Sequence, residues 1–139
     1  MNPFVLPVHP ILVHFPVALL VVAWVCLILQ HGYRAEPWGE RARLLEWLGV
    51  ASFPFTVLAG VIDLRGVGQL VSPRWDLPLI WHVLAATTGI VLFTAHAFWR
   101  RGRDVMRGRA AVIDVTVATV ALWSIIAAGA IAGELVYGG

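Results

Sequence analysis

Lysine is absent from this chain of 139 residues, and all ten basic residues are arginine. Cysteine occurs once, as Cys26 inside an apolar run. That excludes an intrachain disulfide and leaves the ordinary role of a small buried hydrophobe. Charge of either sign is scarce, at 13% of residues, about half the soluble average of ~25%. A soluble domain and a disordered chain are both excluded by that scarcity. Ser52, Ser72 and Ser124 have no histidine and carboxylate arranged around them, so hydrolytic catalysis has no support. Arg65-Gly66-Val67-Gly68 is too short to be a phosphate-binding glycine loop. Met1 to Pro10 holds no basic residue and no Ala-x-Ala site follows the first apolar run. That run is therefore expected to be a retained helix, not a cleaved signal.

What the chain has instead is apolar length. Hydrophobic residues make up 60%, and mean hydropathy is +0.83. A membrane span takes ~20 predominantly apolar residues, so this composition supplies about four spans and little else. Four runs are visible, over residues 11–30, 44–62, 77–99 and 110–133. Short connectors favour antiparallel neighbours. The expected fold is an all-α, up-down bundle of four transmembrane helices forming a single domain.

Arginine position sets the expected orientation. Arg34, Arg41 and Arg43 follow the first run, and Arg100, Arg101, Arg103, Arg107 and Arg109 follow the third. Only Arg65 and Arg74 fall on the other side. The positive-inside bias then puts the arginine loops in the cytoplasm and both termini outside, in a bacterial inner membrane. The isoelectric point of 9.3 thus reflects topology, and no nucleic acid is expected as a partner. Trp38, Trp47 and Trp99 on one side, and Trp75 and Trp81 on the other, suit interfacial belts. Pro16 and Pro54 lie inside runs, where each removes a backbone donor. Gly129-x-x-x-Gly133 is a close-packing pattern, read as helix–helix contact.

With that topology, polar residues gather at the outer end. His9 and His14 open the first helix, Asp63 closes the second, His82 lies near the start of the third, and Glu134 and Tyr137 end the fourth. Ionisable groups near a membrane are costly and by default mark function. The carboxylates of Asp63 and Glu134 sit at helix C-termini, where an anion is unfavourable, so each needs a specific partner. His14 and His82 lie at matched depth, about 5–8 Å below the surface at ~1.5 Å per residue. Helices one and three are diagonal, about 11–14 Å apart when neighbours are ~8–10 Å apart. A metal between two imidazoles fits that gap. Ala85, Ala86 and Gly89 follow His82 on one face and leave flat space, and Ala18, Ala59, Gly60, Gly129, Ala130 and Gly133 are small too. A bis-histidine haem b, with His14 and His82 as axial ligands and Arg65 and Arg74 pairing with its propionates, is the sharp reading.

Other readings stand beside it. His9, His14, His82, Asp63 and Glu134 also suit a small ion such as zinc, copper or iron. His9 lies outside the apolar run and suits solvation equally well. A structural subunit, docking a partner through the Gly129/Gly133 face, is a third. His96 follows His82 by fourteen residues, which returns to nearly the same face about 20 Å deeper. That spacing makes His31 and His96 candidates for a second haem. Their place beside the arginine loops favours ordinary interfacial histidines, and Glu46 and Asp114 are expected to snorkel or to pair with loop arginines.

The opening His9-Pro10-Ile11-Leu12-Val13-His14-Phe15-Pro16 and the close Gly133-Glu134-Leu135-Val136-Tyr137 occur together with Gly60-Val61-Ile62-Asp63 and His82. In this the chain resembles a family of small four-span bacterial membrane proteins labelled domain of unknown function 2231. The resemblance covers essentially the whole chain, and its opening motif is the most specific part. It implies that His9, His14, Asp63, His82 and Glu134 are the site positions; His31 and His96 are not part of the pattern. Fusion of some relatives to Rieske iron–sulfur or cytochrome c domains implies a redox setting. The expectation is an electron carrier, not an enzyme. His14 and His82 hold haem b, while His9, Asp63 and Glu134 orient the imidazoles or tune the potential. Its surroundings are the lipid bilayer and a redox partner protein or a second copy of the chain.

Overall fold

The computed structural model describes residues 8–33, 36–66, 77–103 and 106–137. Arg74 and Trp75 lie outside the described residues, and so do the side chains of Asp63, Arg65 and Tyr137. Four helices follow one another: α1 Val8–Tyr33, α2 Glu36–Gly66, α3 Leu77–Arg100 and α4 Arg109–Tyr137. All four are long and apolar enough to cross a membrane, and no strand occurs among the described residues. The chain is an all-α four-helix membrane bundle. Sequence neighbours pack against each other, α1 on α2 and α3 on α4, and narrower α1–α4 and α2–α3 contacts close the ring. Among the described residues the diagonal helices do not pack backbone against backbone, as in an up-down bundle, and α1 and α3 meet through side chains.

The helices outrun the apolar segments that announced them. α2 has 31 residues, which at ~1.5 Å each is about 46 Å, against ~30 Å of hydrocarbon. Its first turn contains Pro37, a favoured residue there because the missing N–H would be unpaired anyway. Beyond the apolar run it is held by Ala42, which packs inward, and by Arg41 stacked 4.9 Å above the Trp38 ring. α1 starts at Val8, three residues before the apolar run, and so takes in His9. α1 and α2 continue through Pro16 and Pro54. Gly102, at φ 77°, ends α3 in the left-handed region that favours glycine. Arg101 N–H then bonds Phe98 O at 3.1 Å and Arg103 N–H bonds Arg100 O at 3.0 Å.

Each helix buries a stripe with steps of mostly three or four residues. On α1 it runs Pro16, Leu20, Ala23, Leu27, Gln30, and on α2 Ala42, Glu46, Phe53, Thr56, Ala59. On α3 it runs Gly89, Phe93, His96, Arg100, and on α4 Asp114, Ala118, Ala121, Ile125, Ala128. Leu20, Phe53, Phe93, Ala121, Leu122 and Ile125 form the central cluster. The other faces expose large apolar residues such as Phe55, Leu58, Val91 and Trp123, as lipid contact requires. A Cβ on Gly89 would lie 2.6 Å from Ile125, so α3 and α4 meet there. Gly129 and Gly133 have nothing within 4 Å of a Cβ position. The contact expected of that pair is not made among the described residues of this chain.

Candidate functional site

At the end of the bundle that carries His9 and His82, the two rings approach with centroids 6.4 Å apart and planes perpendicular. Each imidazole is anchored by a helix that is not its own. His9 Nδ1–H donates to Thr56 O on α2 at 2.9 Å, and His82 Nδ1–H donates to Ala128 O on α4 at 2.9 Å. In a neutral imidazole this fixes Nδ1 as the donor and puts the lone pair on Nε2. Gly60 makes the first anchor possible, since a Cβ there would stand 3.1 Å from His9 Nδ1. His14 is exposed on α1. Five residues of helix rotate it about 140° away from His9, so the two cannot both face inward. The histidine of α1 brought beside His82 is therefore His9. The early start of α1 puts it on the helix, where the apolar pattern alone had left it outside.

Other positions read from the sequence fall as follows. Glu134 is exposed. Asp63 and Arg65 lie on α2 with side chains outside the description, and Arg74 is outside the described residues. The small face of α3 does not leave flat space along its whole length. Ala85 and Ala86 are half-buried, and the Gly89 position is filled by Ile125 and the Ala121 carbonyl.

The opposite end, bounded by the arginine-bearing turns, contains a polar cluster that the sequence reading did not assemble. Glu46, His96, Arg100 and Asp114 are each at most 3% exposed. The His96 ring lies between two carboxylates, with Nδ1 donating to Glu46 Oε1 and Nε2 donating to Asp114 Oδ1 at 2.9 Å. His31 Nε2 meets the other Asp114 oxygen, Oδ2, at 2.9 Å. Arg100 lies 3.6 Å from Glu46 and 3.3 Å from Asp114, and its Nη2 donates to Gln30 Oε1 at 3.0 Å. With His96 as imidazolium, two cations face two anions and the set is neutral. A balanced, hydrogen-bonded set is the form in which buried charge is tolerated. Of the two roles expected of them, Glu46 and Asp114 thus take the pairing with an arginine, Arg100, and do not snorkel. Both nitrogens of His96 are engaged by carboxylates, which leaves that ring no axial bond to give to a second haem. The signal that could have found the cluster was the register of the buried stripes, on which Gln30, Glu46, His96, Arg100 and Asp114 all fall.

The family model described as predicted membrane protein (DUF2231) matches residues 5–139, nearly the entire chain. The chain belongs to the DUF2231 family. No curated protein and no solved structure matches it. The match takes in His9, Gly60 and His82 of this DUF2231 protein together with the buried cluster at its other end.

Proposed function

We propose that this DUF2231 protein is a haem b-binding electron carrier of the bacterial inner membrane, with the iron held between His9 and His82 near the periplasmic face. The observation that carries the reading is the imidazole pair with centroids 6.4 Å apart. At that separation His9 and His82 would hold a single group between their rings. The anchored Nδ1–H groups fit as well, because an axial histidine usually gives its other N–H to a carbonyl or carboxylate. Two protein ligands suffice for haem, which brings its own equatorial nitrogens. Among the described residues no group of three or more His, Cys, Asp or Glu is placed to hold a metal ion, as a small-ion site needs. Haem would supply a one-electron couple at this end of the bundle. Thr56 and Ala128 hold the imidazoles in orientation, and the apolar faces of α1 and α3 exclude water below them. The reading also calls for a redox partner that docks on the periplasmic side.

The test is a reduced-minus-oxidised visible spectrum of the purified protein, with iron and haem content on the same sample. A b-type α-band is expected in the wild type and in His14→Ala. It is expected to be lost in His9→Ala and in His82→Ala, with membrane insertion retained. Loss in His14→Ala with retention in His9→Ala would return the α1 ligand to His14. A protein that stays colourless after haem reconstitution would overturn the reading, and zinc or copper in its place would assign the pair to a small ion.

A further inference from the structure

The buried cluster at the arginine end is a connected chain of titratable groups, and it leads from a partly exposed residue to a cavity. His31 is 17% exposed at its side chain and touches Asp114 Oδ2; Asp114 Oδ1 touches His96 Nε2; His96 Nδ1 touches Glu46 Oε1. Glu46, His96 and Arg100 line a partly open cavity of about 10 Å³ together with Trp24, Leu27 and Phe93. That is room for roughly one water. Arg100 Nε is buried at this place without a hydrogen-bond partner, although Asp114 Oδ1 lies 3.3 Å away. A structural lock alone needs paired charges. It does not need two imidazoles alternating with two carboxylates, or a polar atom left over beside a cavity.

We propose that His31, Asp114, His96 and Glu46 form a proton-exchange path that carries protons between the arginine-side solution and the cavity beside Glu46. The ligand is the proton. It arrives on His31 and passes from Nε2 to Asp114. The path starts from the neutral ring with its proton on Nδ1: the Asp114 carboxyl turns to present the proton taken from His31 to His96 Nε2, and the proton on Nδ1 leaves for Glu46, so each step makes one bond to hydrogen and breaks one. The reverse sequence restores the start. An imidazole between two carboxylates is suited to this because its nitrogens accept and release on opposite sides. Arg100 remains a cation and takes no part in transfer. It fixes both carboxylates, with Gln30 holding its guanidinium from α1. The groups facing His96 are thus Glu46 of α2, Arg100 of its own helix, and Asp114 of α4, with His31 and Gln30 of α1 completing the set. This path does not depend on haem at the other end.

The test is infrared difference spectroscopy after pH jumps across about pH 5 to 10, on the full chain in lipid nanodiscs. The wild type is expected to show a change in imidazole and carboxyl bands, the carboxyl part of which is lost in Glu46→Gln. His31→Ala is expected to slow equilibration of those bands by roughly a hundredfold, and added free imidazole is expected to restore the rate. His31 lies in the last turn of α1, so helix content should be unchanged; His31→Gln, which keeps a hydrogen-bonding group, should be equally slow. Absence of any band change across the range would overturn the proposal in favour of a static lock. Equilibration at the wild-type rate in both His31 variants would overturn it too.

Discussion

At the scale of the single residue, the two ends of the bundle make opposite demands. Asp114 sits between His31, His96 and Arg100 at 1% exposure, whereas Glu134, on the same helix, is exposed. Removing one partner from a buried ionic set leaves the others uncompensated, at a cost of about 3–5 kcal/mol. Asp114→Ala is therefore expected to lower stability by about that amount, and Glu134→Ala to change it by less than about 0.5 kcal/mol. Denaturant titration of both variants in mixed micelles checks the contrast; equal effects would sink it. Gly60 poses a subtler case. Alanine gains up to ~1 kcal/mol over glycine in a helix, yet its Cβ would press on the His9 ring at 3.1 Å. Gly60→Ala is expected to keep the fold and to weaken whatever His9 and His82 bind together, read as a lower haem content per chain. Sequence made His82 legible as a candidate, since it placed a histidine inside an apolar run. It took His14 and not His9 as the partner of His82, because that choice turns on where α1 begins. Helix ends depend on local anchoring that hydropathy does not record.

At the scale of the element, the four spans were legible from apolar length alone, and their registers were legible in principle. Steps of three and four residues mark the buried stripe of each helix, and charged residues on that stripe belong to the interior whatever their distance from the loop. Glu46 and Asp114 were read by depth and not by register, and His96 was set in register only against His82, so the cluster they form with Arg100 was not assembled. The same register argument bears on glycine. Gly129 and Gly133 form the more familiar pattern, yet the close approach occurs at Gly89, against Ile125 and the Ala121 carbonyl. Pairwise spacing within one helix does not say what faces it; the facing helix decides. Gly89→Ala inserts a methyl group 2.6 Å from the Ile125 side chain, which must shift. Overpacking of this kind costs about 1–3 kcal/mol. Truncation by Ile125→Ala in the same chain is expected to recover part of the loss, giving a coupling of about 0.5–3 kcal/mol. A double-mutant cycle on unfolding free energies measures it, and additive effects would show that α3 and α4 do not meet at this point.

At the scale of the whole molecule, two tightly packed hairpins are joined by few contacts, among them the Trp24 Nε1–H to Thr119 Oγ1 bond of 2.9 Å between α1 and α4. The polar set from Gln30 to Asp114 is a further tie, and it draws on all four helices at one end. The imidazole pair lies at the opposite end, and each ring is anchored across a helix boundary there. The molecule is thus polarised along its axis, and its orientation in the membrane decides what each end meets. Eight of the ten arginines lie at the end that carries the buried cluster. Each would have to be carried across the bilayer in the inverted topology, which is the physical basis for placing that end in the cytoplasm. Single cysteines can report this, because Cys26 is the only native one and is 4% exposed. Arg103 and Glu134 are both exposed, at opposite ends. In a Cys26→Ala background, a membrane-impermeant maleimide applied to spheroplasts is expected to label Glu134→Cys at once and Arg103→Cys only after permeabilisation. The reverse pattern would turn the molecule over. The imidazole pair would then face the cytoplasm, and a periplasmic redox partner could not reach it.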